Sequence, residues 1–92
     1  MPYRIRYHPD VKAKDISKLN RTMQKRIKTA IAQRLLGSPE RYSEPLRRTL
    51  KVYRKLRGGD YRIVLKIEGA DILILAIYHR KDVYEKMEWR SQ

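Results

Sequence analysis

Residues 47 to 84 carry the side chains best suited to chemistry. They read RRTLKVYRKLRGGDYRIVLKIEGADILILAIYHRKDVY and hold close to half of the chain's excess positive charge, interleaved with Tyr53, Tyr61, Tyr78 and Tyr84. Cations and flat rings displayed on a rigid sheet suit a polyanion with bases to stack on. The carboxylates form no paired acid–base motif and show no metal-ligand spacing. There is no P-loop, dinucleotide fingerprint or nucleophile elbow. Chemistry at this stretch would therefore rest on Lys, Arg, Tyr or His. RNA cleavage suits that set, because RNA carries its own nucleophile in the 2′-hydroxyl. Attack on the adjacent phosphate needs a base for that hydroxyl, cations where charge develops, and an acid for the leaving oxygen.

Turn chemistry suggests how the groups are held. Arg57-Gly58-Gly59-Asp60 reads as a two-residue hairpin, since glycine tolerates the positive φ of primed turns. Pairing Arg57 with Asp60 sets Lys55 opposite Arg62, with Tyr53 and Arg57 on the same face away from the core. Like charges directly opposite destabilise a hairpin unless an anion is expected there. A second turn at Glu68-Gly69-Ala70-Asp71 sets Ile67 opposite Ile72 and Arg62 opposite Ile77. Ile77 and His79 then share the Lys55 and Arg62 face, and Arg80 follows at the strand end. Arg54 falls on the core face, which requires a bulge or a side chain that snorkels to an edge. His8 is a turn residue with no evident partner.

The positioning elements follow from periodicity. Met1 to Tyr7 alternates as a strand, and His8-Pro9-Asp10 starts a helix over Val11 to Leu19 with Val11, Ile16 and Leu19 available for burial. Asn20 ends it. Arg21 to Leu36 is a second helix with Met23, Ile27, Ala30, Ile31 and Leu35 on one face, stopped by Gly37 and Pro39. Ser38 to Pro45 reads as a polar connection. Strands follow at Lys51 to Arg57, Tyr61 to Ile67 and Ile72 to Tyr78, the last apolar on both faces as for a covered central strand. Asp82 to Trp89 forms a short terminal helix. The order β-α-α-β-β-β-β with a final helix is α+β: an N-terminal strand and helical hairpin on a mainly antiparallel, twisted sheet of four to five strands.

Composition bounds the rest. Ninety-two residues make one domain, 1–92. The chain has no cysteine, which excludes disulfides and thiolate metal sites and fits a reducing compartment. The first ten residues lack the apolar region of a signal peptide, and Ile72 to Tyr78 is too short to span a bilayer. A cytoplasmic protein is expected. With 23 basic against 10 acidic residues the formal net charge is +13, which draws nucleic acid or an acidic protein rather than a membrane surface.

Lys55-Leu56-Arg57-Gly58-Gly59-Asp60-Tyr61-Arg62-Ile63-Val64 resembles the hairpin motif of RelE-like members of the RelE/ParE toxin superfamily. Tyr78-His79-Arg80-Lys81-Asp82-Val83-Tyr84 resembles that family's C-terminal motif. The helix pair and element order match as well, so the resemblance covers essentially the whole chain. It implies the toxin of a type II toxin–antitoxin system, a ribosome-dependent endoribonuclease that cleaves mRNA in the A site through the 2′-hydroxyl, with no metal or other cofactor. It implies a cognate RelB-like antitoxin in a hetero-oligomer, with mRNA and ribosomal RNA as further partners.

By the same resemblance, Arg62 stabilises the phosphate, Arg80 is the general acid, Tyr84 stacks on or orients the nucleotide, and Lys55 is one of the basic residues of the preceding strand. Those four form the expected catalytic set. Lys51, Tyr53, Arg54, Arg57, His79 and Lys81 are expected to bind RNA. The family often carries a further lysine where this chain has Tyr53, so the base is left open among Lys55, Lys51 and His79. A ParE-like toxin that poisons DNA gyrase and a plain nucleic-acid-binding module are the competing readings. An acidic, amphipathic antitoxin helix would cover the cationic face or displace the C-terminal segment, while Trp89 either anchors it or packs the terminal helix on the sheet.

Overall fold

A computed structural model describes residues 3–91. The start of the expected N-terminal strand, at Met1 and Pro2, lies outside them. Strand β1 (Arg4–Tyr7) turns Tyr3, Ile5 and Tyr7 inward and leaves Arg4 and Arg6 exposed. A wide-wound helical segment, Val11–Asp15, tightens over Ile16–Lys18. Helix α1 (Arg21–Ala30) runs on through another wide turn, Ile31–Leu35. The Asn20 side chain caps α1 by accepting the Met23 N–H at 2.8 Å. Gln24 donates to the Ile16 and Leu19 carbonyls, which satisfies the end of the preceding helix.

The expected polar connection contains structure. Pro39–Tyr42 forms a helical turn, α2, and Ser43–Pro45 forms a short strand, β2. Strands β3 (Arg54–Gly58), β4 (Tyr61–Glu68) and β5 (Asp71–His79) follow, then helix α3 (Val83–Arg90). The sheet order is β1-β5-β4-β3-β2, with β1 parallel to β5 and the other pairs antiparallel. The fold is therefore α+β with a five-stranded sheet. Strand β3 starts later than expected because Arg48–Leu50 forms a tight turn, entered through a left-handed Arg48 at φ 58°.

Both faces of the sheet are covered. On one, Leu56, Ile63, Leu65, Ile72, Ile74 and Ile77 pack against Val11, Leu19, Ile27, Ile31 and Leu35. On the other, Val64, Ala76 and Tyr78 pack against Leu46 and Leu50 of the β2–β3 loop and Val83 and Met87 of α3. The central strand is consequently apolar on both sides.

A bulge interrupts the β4–β5 ladder. Val64 pairs with Ala76 and Leu65 with Ile74, so Leu75 has no partner. The Leu75 carbonyl accepts from Arg90, and the Ile77 N–H donates to the Asp15 carboxylate at 2.9 Å. Asp15 and Arg90 are themselves joined at 2.6 Å, with side chains only 6 % and 10 % exposed. This buried pair satisfies backbone groups near the bulge that would otherwise be costly. It also ties α3 to the first helical segment across the sheet edge.

Candidate nucleic-acid interface

The β3–β4 hairpin is the platform. Its turn residues are Gly59 and Asp60, with Gly59 at φ +63° as a primed turn with glycine first requires. Gly58 belongs to the strand and pairs with Tyr61. The expected pairing is thus off by two residues: Arg57 faces Arg62, and Lys55 faces Val64. A two-residue slip keeps the face, so Lys55, Arg57 and Arg62 still lie together. Arg62 donates to the Gly59 carbonyl at 2.8 Å and the Tyr61 carbonyl at 3.0 Å, which folds its side chain back toward the turn.

The bulge at Leu75 has the opposite consequence. Ile67 pairs with Ile72 as expected, but beyond the bulge Arg62 faces Tyr78 rather than Ile77. One extra residue exchanges the faces. Ile77 enters the main core opposite Ile63, and His79 faces Tyr61, its ring edge-on at 5.6 Å between centroids. His79 therefore leaves the Lys55 and Arg62 face. Arg80 joins it, with its own N–H bonded to the Asp60 carbonyl at 2.8 Å, so the strand end is fastened to the hairpin turn.

Lys55, Arg62, Arg80 and Lys81 line one open cleft of ≈ 500 Å³ together with Arg47, Val83 and Tyr84. Among the described residues, no carboxylate lines it. Tyr84 stands at the first turn of α3 between two cations, with the Arg47 guanidinium 4.5 Å and the Lys55 ammonium 5.5 Å from its ring centre. Partial burial pulls the Tyr84 phenol up, but Arg47 and Lys55 beside its hydroxyl outweigh that, and it titrates below the ordinary 10.0. Lys55 also lies 4.0 Å from Glu44, which is 74 % exposed and so screens it weakly. Arg57 adjoins the cleft through a smaller recess shared with Lys55 and Arg62.

Four expected RNA contacts lie elsewhere. Lys51 is exposed in the β2–β3 loop and does not line the cleft. Tyr53 is half-buried against the cluster beneath α3. Arg54 snorkels to the sheet edge, where its guanidinium donates to the Ser43 hydroxyl at 2.8 Å and to the Ser43 and Glu40 carbonyls. It staples β3 to β2 and α2. His79 sits across the sheet, where its Nδ1 accepts the Lys81 N–H.

Arg47 is the cleft cation that sequence reasoning missed. A Leu46 N–H to Tyr53 carbonyl bond of 2.9 Å closes its loop, and buried Leu46 and Leu50 hold it down. Its only sequence signal is the Arg47-Arg48 doublet that opens the basic stretch. Among the described residues, no three His, Asp or Glu side chains converge as a metal site.

Residues 5–84 match the family model of the ParE toxin of type II toxin–antitoxin systems. The toxin RelG of Mycobacterium tuberculosis (strain ATCC 25618 / H37Rv) is 33% identical over 92 residues, covering 94% of this chain and 100% of RelG. The RelBE2 toxin–antitoxin complex of M. tuberculosis contains a chain of similar structure, with a TM-score of 0.79 and 28% identity over 87% of this chain and 100% of that one. A mutant of the E. coli toxin RelE in the free state shares the fold, with a TM-score of 0.71 and 22% identity over 98% of each chain.

Proposed function

Because this chain belongs to the RelE/ParE superfamily of type II toxins, we propose that it is a ribosome-dependent endoribonuclease that cleaves mRNA in the A site. The observation that carries this reading is the convergence of Lys55, Arg62, Arg80 and Tyr84 in one cleft that no carboxylate among the described residues lines. Lys55 takes the proton of a 2′-hydroxyl, and the oxygen attacks the adjacent phosphorus. Arg62 neutralises the charge that builds on the phosphoryl oxygens. The bond to the 5′-oxygen breaks, and Arg80 supplies its proton. The products are a 2′,3′-cyclic phosphate and a 5′-hydroxyl. Tyr84 orients the nucleotide by stacking.

Of the three residues left open as the base, only Lys55 lines the cleft. Lys51 and His79 are set apart from it, which favours Lys55. A RelB-like antitoxin is the expected inhibitor, consistent with toxin–antitoxin complexes among the similar structures. No helix among the described residues is long and apolar enough to cross a membrane, and the proposed reaction places the protein in the cytoplasm.

The match to the ParE model keeps a second reading in view, a toxin that inhibits DNA gyrase. Inducible expression followed by mapping of mRNA 5′ ends separates the two. Codon-phased cuts are expected here, whereas intact mRNA with a DNA-damage response would support the gyrase reading.

A further inference from the structure

Between Ile16 and Pro39 the chain holds six Lys or Arg and no Asp or Glu. Among the described residues none of those six makes an ion pair. Three of them, Lys25, Arg26 and Arg34, line a groove of ≈ 600 Å³ between α1 and the β3–β4 hairpin, with Arg57, Gly58 and Gly59 on its far wall. Strand β2 pairs β3 only as far as Leu56, leaving the β3 edge at Arg57 unpaired by strand. Arg34 reaches across to bond the Arg57 carbonyl at 3.0 Å.

Arg57 also lines the recess that holds Lys55 and Arg62, and those two line the cleft. The groove, recess and cleft therefore form one path around the β3 edge, cationic except for the exposed Glu44 that lines the recess beside Lys55. Clustered like charges on a helix destabilise it in the absence of an anion. The groove wall offers Thr22, Thr29 and Gln33 for hydrogen bonding and, among the described residues, no large apolar side chain. A docked amphipathic helix would need apolar anchors at the centre of its interface, whereas a phosphate backbone needs only cations and polar donors.

We propose that this groove is a second RNA-backbone site, binding phosphates of the RNA beyond the nucleotide held in the cleft. The assignment rests on the nucleic-acid reading of the cleft but not on cleavage there. The phosphates come either from the flank of the same strand or from ribosomal RNA.

The test uses the full chain carrying Arg80→Ala, so that any cutting is slow compared with binding, with and without Lys25→Gln plus Arg26→Gln. Both positions are exposed, and glutamine retains helix propensity. Binding is measured across salt for a 4-nucleotide RNA, a 16-nucleotide RNA and vacant ribosomes. The double substitution is expected to reduce the salt slope for the longer RNA by about 1.4, at ~0.7 per single-strand phosphate, and leave the short RNA unchanged. That result assigns the groove to the substrate strand. Loss confined to ribosomes assigns it to ribosomal RNA. The proposal is overturned if all three affinities are unchanged, or if the short RNA loses as much as the long one. It is also overturned if a charge-matched control away from the groove, Arg6→Gln plus Lys12→Gln, weakens binding equally. Binding is read without turnover, so a failure of the nuclease reading would appear separately, as uncut mRNA on mRNA-loaded ribosomes with the unmodified chain.

Discussion

The two faces of the sheet are built from alternate residues of the same strands, yet they serve different ends. The face under α1 buries Leu56, Ile63, Leu65, Ile72, Ile74 and Ile77. The face under α3 buries a smaller cluster and leaves room beside it for five cations and Tyr84. A hairpin contributes to both at once: Leu56 and Ile63 look one way, Arg57 and Arg62 the other. The core face thereby holds the repelling cations at fixed spacing on the other side. The Leu75 bulge completes the division, because it sends Ile77 and His79 to one face and Tyr78 and Arg80 to the other.

The largest loss is expected from the core face. Ile63 is fully buried at the centre of the main cluster. Ile63→Ala is expected to cost about 2–5 kcal/mol by lost transfer energy and the cavity left behind. A 92-residue domain has little more than that to lose. Urea unfolding should show a large drop in midpoint, and cleavage should be lost only in proportion to the unfolded fraction. Activity lost well before the fold would show that the two faces are coupled more tightly than alternation implies.

The cleft face should behave in the opposite way. Arg62→Ala and Arg80→Ala are each expected to slow cleavage by about 10²–10³, the scale of removing one stabiliser of transition-state charge. They should leave the unfolding midpoint within about 1 kcal/mol of the parent, since Arg62 gives up only surface hydrogen bonds. Growth inhibition should vanish in both. His79→Ala is the contrast, because its ring lies across the sheet, and it should alter cleavage by less than about threefold (under 1 kcal/mol). A cleavage defect in His79→Ala as deep as that in Arg80→Ala would place His79 in the reaction after all.

How far each face was legible depends on what signal its residues carry. The helices and the two long hairpin strands follow from apolar spacing, and the Lys55, Arg57 and Arg62 face survived a mistaken register because the error was an even number. The bulge was invisible. Ile72 to Tyr78 is apolar at every position, so no alternation marks where parity changes, and His79 was placed on the wrong side. Strand β2 was missed because Ser43–Pro45 has three residues, one of them a proline tolerated at a sheet edge. Arg47 reaches the cleft only through a loop closed by tertiary contacts. Arg54 carried a usable signal, a cation on the core face of a strand, and its partners Ser43 and Glu40 lie in the segment read as irregular.

Arg54 therefore offers a milder test. Its three hydrogen bonds join β3 to the β2 and α2 segment, next to the cleft but not in it. Arg54→Gln is expected to lower stability by about 1–3 kcal/mol, the range for hydrogen bonds from a charged donor. Hydrogen exchange should rise in residues 39–45 while the β4 and β5 amides stay protected. The intrinsic cleavage chemistry should persist. Uniform loss of protection would mean that the edge strand is integral to the core rather than an attachment to it.

The smallest effect concerns Tyr84 and shows the two faces through one titration. Burial raises the phenols of Tyr7, on the core side, and of Tyr78, where burial outweighs the lowering by Arg90. At Tyr84 the neighbouring Arg47 and Lys55 outweigh partial burial, and the phenol is lowered from 10.0. Absorbance near 295 nm should therefore show Tyr84 ionising before Tyr78 and Tyr7 as pH rises, and Tyr84→Phe should delete that early step. The stabilisation linked to its ionisation is fully present above the unfolded phenol value near 10 and is lost as pH falls through the lowered folded value. At neutral pH the phenol is protonated in both states, so Tyr84→Phe should change stability by less than about 0.5 kcal/mol. It keeps the ring over which Arg47 and Lys55 lie. A Tyr84 that titrates together with Tyr78 would mean that the two cations do not hold the phenol in solution, and that the cleft's order depends on a bound anion.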